Sequence, residues 1–285
     1  MSVSLNESMT AKLNTMKLTH HFTGLMALIL CGAGNAQAQP SAPASNGQTM
    51  RWGAAVISLP KYPGADRQQL LAAPLIEARF GEHFFASTLQ GLGADWRPAE
   101  GMSLSAALVL DSHWRRRKDL PAAWASLDEV KFAPALRLAA EWQLERFTVQ
   151  LSSSSRLGTL SQGRGGAKDS KGGHSLQFEA SYGLLATPTL ALAAGFSGEA
   201  MDKRLGQALF GVSAAQAASS GLRVHSVKAG VVSLGVFAQA LVPLDRDWSF
   251  SARMGLQSLR GDAGTSPLLQ KRRQPMLAMT FSRAF

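Results

Sequence analysis

From about residue 50 onward the chain alternates apolar with small or polar residues, segment after segment, with a period of two. Phe147, Val149 and Leu151 alternate with Thr148, Gln150 and Ser152; Leu176, Phe178, Ala180 and Tyr182 with Gln177, Glu179 and Ser181. Trp248, Phe250 and Ala252 alternate with Ser249, Ser251 and Arg253, and Leu277, Met279, Phe281, Arg283 and Phe285 with Ala278, Thr280, Ser282 and Ala284. A period of two places one set on each face of a strand. Segments of about ten residues with one apolar and one small or polar face are what a closed barrel in lipid requires. No run of 18 apolar residues follows the N-terminal region, so membrane-spanning helices are excluded.

Turn chemistry separates the segments at two alternating lengths. Short connections fall at Arg97-Pro98-Ala99-Glu100-Gly101, Glu141 to Glu145, Ala186-Thr187-Pro188-Thr189 and Pro243-Leu244-Asp245-Arg246, and long ones at 112–127, 158–173, 200–225 and 261–274. Short turns on one rim and long loops on the other mark an outer-membrane barrel, periplasmic turns against extracellular loops. The expected strands are 50–59, 70–80, 83–97, 101–111, 128–140, 145–157, 174–185, 190–199, 226–242, 246–260 and 275–285. A barrel with both ends in the periplasm needs an even number, and a turn near Gln90-Gly91 would divide 83–97. The expected fold is therefore all-β, a transmembrane antiparallel up-and-down β-barrel of 12 strands, with 10 as the alternative.

The N-terminus reads as an address. Lys12 and Lys17 precede an apolar run from Phe22 to Cys31, and Ala36-Gln37-Ala38 is an A-x-A cleavage site. This is the pattern of a secretory signal peptide over residues 1–38, leaving 39–285 as the barrel domain in the outer membrane. Met16 is an alternative start. Leu30 stands where a lipoprotein would carry a small residue before Cys31, the single cysteine, which excludes a disulfide scaffold.

The formal net charge is +10. Its cations crowd the long loops: Arg115, Arg116, Arg117 and Lys118; Arg164, Lys168 and Lys171; Lys203, Arg204 and Arg223; Lys271, Arg272 and Arg273. If parity is right, these loops share the outer rim. Arginine pairs bidentately with phosphate oxygens, so Arg115–Lys118, Arg164, Lys168, Lys171 and Lys271–Arg273 are candidate contacts to lipopolysaccharide; the alternative is a solvated polar face. Export argues against nucleic acid as the partner of this basic rim.

No enzyme is visible. His83, His113, His174 and His225 lack a second ligand at metal spacing, and H-E-x-x-H is absent. His174-Ser175, with Glu179 nearby, is the best hydrolase candidate, but adjacent strand residues face opposite sides. The glycine-rich 163–170 lacks the order of a phosphate loop. Trp52, Trp96, Trp142 and Trp248 sit near strand ends, as interfacial girdles do. No cofactor is expected.

Three local patterns go further: Pro60-Lys61-Tyr62-Pro63-Gly64-Ala65; Leu209-Phe210-Gly211-Val212-Ser213-Ala214-Ala215-Gln216-Ala217 with Ser220-Gly221-Leu222; and Leu259-Arg260-Gly261-Asp262-Ala263-Gly264-Thr265-Ser266-Pro267-Leu268. Together, in order and spacing from Arg51 to Phe285, they resemble the MipA/OmpV family of Gram-negative outer-membrane proteins. Ala65 and Leu209 depart from its usual residues. Physically the patterns read as loop-structuring, with a short helix within 210–221. The residues read as a non-enzymatic barrel, monomeric as a barrel, and the resemblance implies a scaffold role whose partners are a membrane-bound lytic transglycosylase and a bifunctional murein synthase. The rival is a narrow porin-like or solute- or antibiotic-binding barrel.

Overall fold

The computed structural model describes residues 49–162 and 170–285. The expected signal peptide lies outside the described residues, as do Arg164 and Lys168. Twelve antiparallel strands close one barrel. They are β1 (Met50–Pro60), β2 (Gln68–Phe80), β3 (Phe84–Ser87), β4 (Gly91–Ala99), β5 (Met102–Leu110) and β6 (Pro134–Leu144), then β7 (Phe147–Arg156), β8 (His174–Ala186), β9 (Ala191–Met201), β10 (Gly230–Pro243), β11 (Trp248–Leu259) and β12 (Arg273–Ala284). Each pairs with its sequence neighbours, and β1 closes on β12 from Arg51↔Ala284 to Ser58↔Leu277. Closure pairs nearly the whole wall strand to strand, as a barrel in hydrocarbon needs because bare backbone groups have no water there; the exception is β2, which the short β3 meets only from Glu77 to Phe80.

The expected split of 83–97 is present. Ser87 Oγ accepts from the backbone amides of Leu89 and Gln90, both at 3.1 Å, and Gly91 takes the left-handed φ of 84°. A Cβ at Gly91 would lie 2.1 Å from the Leu108 carbonyl oxygen, so strand pairing also demands glycine there. Most boundaries fall within two residues of expectation, β6 runs on to Leu144 through most of the expected turn 141–145, and two strands begin later than expected. Residues 128–133 and 226–229 do not join the barrel, because Val130 and Val227 are drawn into a hydrophobic cluster above it.

The alternation places side chains as its period requires. Met50, Trp52 and Val56 of β1 face outward, while Ala55, Ile57 and Leu59 are buried inside. Leu138, Leu151, Phe196, Leu234, Val236 and Met254 continue the apolar outer surface around the wall. Near the chain end Trp52 packs on Trp248 and Phe285 with ring centroids 6.0 and 6.1 Å apart, and Trp248 stacks on Phe281 at 4.6 Å. Arg283 fits this girdle because its guanidinium lies 4.7 Å from the Phe285 ring and pairs with Asp247 at 3.2 Å. Lengths of nine or more residues let tilted strands cross the bilayer; only β3, with four residues, is too short.

The long loops fold into a cap over one end of the barrel. Two helices, α1 (Lys203–Phe210) and α2 (Ala214–Ser220), form where the β9–β10 loop supplies caps. Asp202 accepts from the Leu205 amide at 2.8 Å, and Ser213 and Gln216 make a reciprocal capping box. Glu129–Val130, Thr159–Gln162 and Ser170–Lys171 add a small sheet. Beneath lies an apolar core of Val130, Leu160, Leu205, Leu209, Phe210 and Val227, and beside it a second of Tyr62, Leu120, Leu127, Val212 and Leu268.

Candidate functional site: a capped lumen

The three sequence patterns meet in this cap. Tyr62 of the first donates its hydroxyl hydrogen to Gln270 Oε1 at 2.8 Å. Ser266 of the third donates to the Phe210 carbonyl of the second at 2.6 Å. The backbones of Val212 and His225 bond reciprocally, and Asp262 Oδ2 accepts from the Lys228 amide at 2.9 Å. These residues hold loops together, the structural role their composition suggested. Burial, with Asp66 nearby and against the pull of Arg115, pushes the Tyr62 phenol up to about 12.

The cationic rim divides under folding. Arg115 is 1% exposed, its Nη1 donating to the Leu209 carbonyl at 2.7 Å and Nη2 to that of Asp128 at 3.0 Å. It is a cap residue and cannot reach lipopolysaccharide, which corrects the reading of 115–118 as one surface run. Burial lowers its guanidinium to about 10, with Asp128 and the Tyr62 oxygen working the other way. Arg116 is half-buried against Asp119 and Gln69, both at 2.6 Å, and Arg117 is half-buried as well. Lys118, Lys271, Arg272 and Arg273 are exposed, although Arg272 Nη2 also donates to the Gly264 carbonyl. The Lys171 side chain lies outside the description.

Under the cap the segment after β5 turns into the barrel and is pinned there. His113 Nδ1 meets Asp111 Oδ1 at 2.6 Å, and its Nε2 meets Glu199 Oε1 of β9 at 2.8 Å. Arg156 at the end of β7 pairs with the other Asp111 oxygen and reaches the Lys131 carbonyl. Burial works to lower the His113 imidazole, but the Asp111 and Glu199 carboxylates outweigh it and hold it well above its ordinary value. For Asp111, burial is outweighed by the His113 imidazolium and the Arg156 guanidinium, and the carboxyl sits at about 2. The histidines therefore are not all isolated. Asp111-Ser112-His113 was the only local signal of this latch, and Glu199 lies 86 residues beyond His113. Trp114, also buried, packs with Phe132 at 4.4 Å behind β1 and Leu71.

Deeper in, Gly195 of β9 sits opposite Phe237 of β10, whose ring fills the place where a Cβ would stand. The Arg253 guanidinium of β11 lies 3.7 Å from that ring's centroid and binds Glu179 of β8 at 2.8 Å. A cation stacked on a ring and paired with a carboxylate is held on both sides. Arg253 lines two chambers: one of about 180 Å³ toward the cap, with His113, Gln177 and Gln257, and one of about 300 Å³ toward the short turns, with Arg51, Glu77, Thr148 and Ser251. Glu179 thus serves Arg253, not a histidine. His174 faces outward, its Nδ1 2.9 Å from Ser155 Oγ, while Ser175 is buried on the opposite face. Among the described residues no group of His, Cys, Asp and Glu is arranged to hold a metal ion.

Among solved structures the chain is similar to an outer-membrane channel from Pseudomonas putida F1, at 10% identity over 85% of this chain and 96% of that one, with a TM-score of 0.42. It is also similar to the NanC porin, at 7% identity over 83% and 98% with a TM-score of 0.39, and to OprD from Pseudomonas aeruginosa, at 13% over 85% and 66% with 0.36. No curated protein matches it. The model of the family described as MltA-interacting protein MipA matches residues 52–285. The chain, a closed twelve-stranded β-barrel, therefore belongs to the MipA family.

Proposed function

We propose that this barrel is a non-enzymatic scaffold that holds murein enzymes at the inner face of the outer membrane, working from its short-turn rim. The carrying observation is the cap: both apolar cores and the His113 latch stand over the long-loop end, so the architecture favours a stoppered barrel over an open pore. The family description names an interaction with MltA, which supports a murein-enzyme partner; a lytic transglycosylase and a bifunctional murein synthase are the partners of the proposal. In this reading residues 1–38 are removed on export and the barrel acts as a monomer. The turn Leu244–Asp247 is pre-shaped for display, because Asp245 Oδ1 accepts from the Asp247 and Trp248 amides at 2.8 and 2.7 Å. Those same hydrogen bonds lower the Asp245 carboxyl, keeping a fixed anion on the rim.

In-cell photo-crosslinking from Ala99, Gln143, Thr187 and Asp245, with mass spectrometry of the adducts, tests this. Murein hydrolases or synthases among the adducts support it; only lipopolysaccharide and neighbouring barrels would reject it. The two lumen chambers favour a second reading, a solute-binding barrel, in which Arg253 and Glu179 select what passes.

A further inference from the structure

The barrel wall is interrupted beside β2. On one side β2 pairs with β1 along its whole length, but on the other β3 meets it only from Glu77 to Phe80. The Ile76 amide and carbonyl reach Thr88 in the β3–β4 turn at 3.0 and 2.9 Å, and the pairing stops there. Backbone groups in an antiparallel strand alternate in direction, so those of Leu70, Ala72 and Pro74 point the same way as Ile76. Among the described residues no strand receives them. A proline in this row is the mark of an edge, since it has no N–H to leave bare. Polar backbone does not stay unmet in hydrocarbon.

A cavity of about 250 Å³ adjoins this interruption. It begins at Ser87–Leu89 in the turn that touches Ile76 and runs beneath Asp111–His113 to Arg137, Ser154 and Gln177. Its outer border is apolar, with Leu92, Leu108 and Leu110 exposed on the lipid face, while its depth is polar. Gln177, half-buried, lines its inner end; its Oε1 is closed off without a hydrogen-bond partner, although its Nε2 donates to Glu199 at 3.1 Å. An acceptor left in this state calls for a donor. A molecule fitting both parts must be an alkyl chain at one end and a hydrogen-bond donor at the other.

We propose that the gap above the β3–β4 turn is a lateral entry from the outer leaflet, taking amphiphiles that carry an alkyl chain and a hydroxylated head. The head reaches Gln177 under the Asp111–His113 segment; the chain stays against Leu92, Leu108 and Leu110. This goes beyond the periplasmic scaffold role and does not depend on it.

The test uses the full barrel in lipid nanodiscs and an alkyl glycoside with a diazirine in its chain, with adducts mapped by mass spectrometry. Adducts concentrated on 87–92 and 108–113 are expected. Ser154→Phe, which fills the cavity, and Gln177→Leu, which removes the acceptor, should each reduce them roughly tenfold, the equivalent of about 1.4 kcal/mol. Heat-modifiable migration on gels verifies that each variant forms a barrel, and Gln177→Leu carries the test if Ser154→Phe does not fold. Adducts spread evenly around the belt, as dense at Leu138 and Leu234 as at the gap, or adducts unchanged in a folded variant, would overturn the proposal.

Discussion

Replacing His113 by leucine probes the latch directly. In the native barrel one imidazolium bridges Asp111 at 2.6 Å and Glu199 at 2.8 Å, with side chains only 5% and 17% exposed. Leucine leaves two carboxylates without their common cation. Removing one partner of a buried ion pair typically costs about 3–5 kcal/mol. Asp111 retains Arg156 and Glu199 retains Gln177, so the low end applies, about 3 kcal/mol. Because the twelve-stranded wall does not depend on this contact, the loss should appear as local opening of the segment after β5. At about 1.4 kcal/mol per decade, that is roughly a hundredfold rise in the open population. The reporter is the Arg115 amide, which donates to the Val130 carbonyl at 2.9 Å and should be protected until the segment lifts. Hydrogen exchange at Arg115 should accelerate by about that factor, while Glu199→Gln, which keeps an acceptor, should cost only about 1 kcal/mol. Unchanged exchange at Arg115 in His113→Leu would refute the latch as what holds this loop.

The same exchange should depend on pH. The His113 contribution is whole below the ordinary imidazole value of 6.5 and is lost as pH rises through its raised folded value; the Asp111 contribution is whole above 3.8 and is lost as pH falls toward 2. Protection is thus greatest between those two values and declines on the alkaline side. Arg115→Ala should destabilise the cap by about 3 kcal/mol, seen as protease cutting between 112 and 128, because two buried carbonyls lose a charged donor. Neutralising Lys118, Lys271 and Arg273 together, with Arg272 left to hold the Gly264 carbonyl, should lower lipopolysaccharide co-purification without loosening the cap; unchanged lipid content would reject the rim as its binding surface. Gly195→Val should push β9 from β8, since a Cβ there would lie 2.2 Å from the Ala180 carbonyl oxygen, and displace the Phe237 ring, 2.7 Å away, releasing Arg253 from its stack. Altered intraluminal accessibility to a small thiol reagent, read from a cysteine introduced at Ser251, would report the change.

Much of the wall was readable because a barrel strand carries its instructions locally. The period of two in 147–152 or 277–285 needs no distant residue to be interpreted, and the turn at Gln90-Gly91 was visible from parity and a glycine. The cap was harder to read, for a physical reason. Leu209, Phe210 and Val212 looked like apolar residues in a loop because their partners, among them Tyr62 and Leu268, come from other loops. Charge counting saw Arg115 to Lys118 as one patch, whereas successive residues on a turning segment point in different directions. Arg115 is in the core and Lys118 in solvent. Inside the barrel, alternation placed Glu179 and Arg253 on the polar faces of their strands. That they meet depends on register summed across β8 to β11, and they lie 74 residues apart. The His113 latch combines both difficulties.

A barrel stoppered at its long-loop end should not conduct, so the most direct measurement is conductance of the purified protein in planar bilayers. A quiet membrane for the native protein, with channel openings appearing once His113→Leu frees the segment after β5, is the predicted result. Steady conductance from the native barrel, unaltered by that substitution, would contradict it and identify the lumen as an open pore.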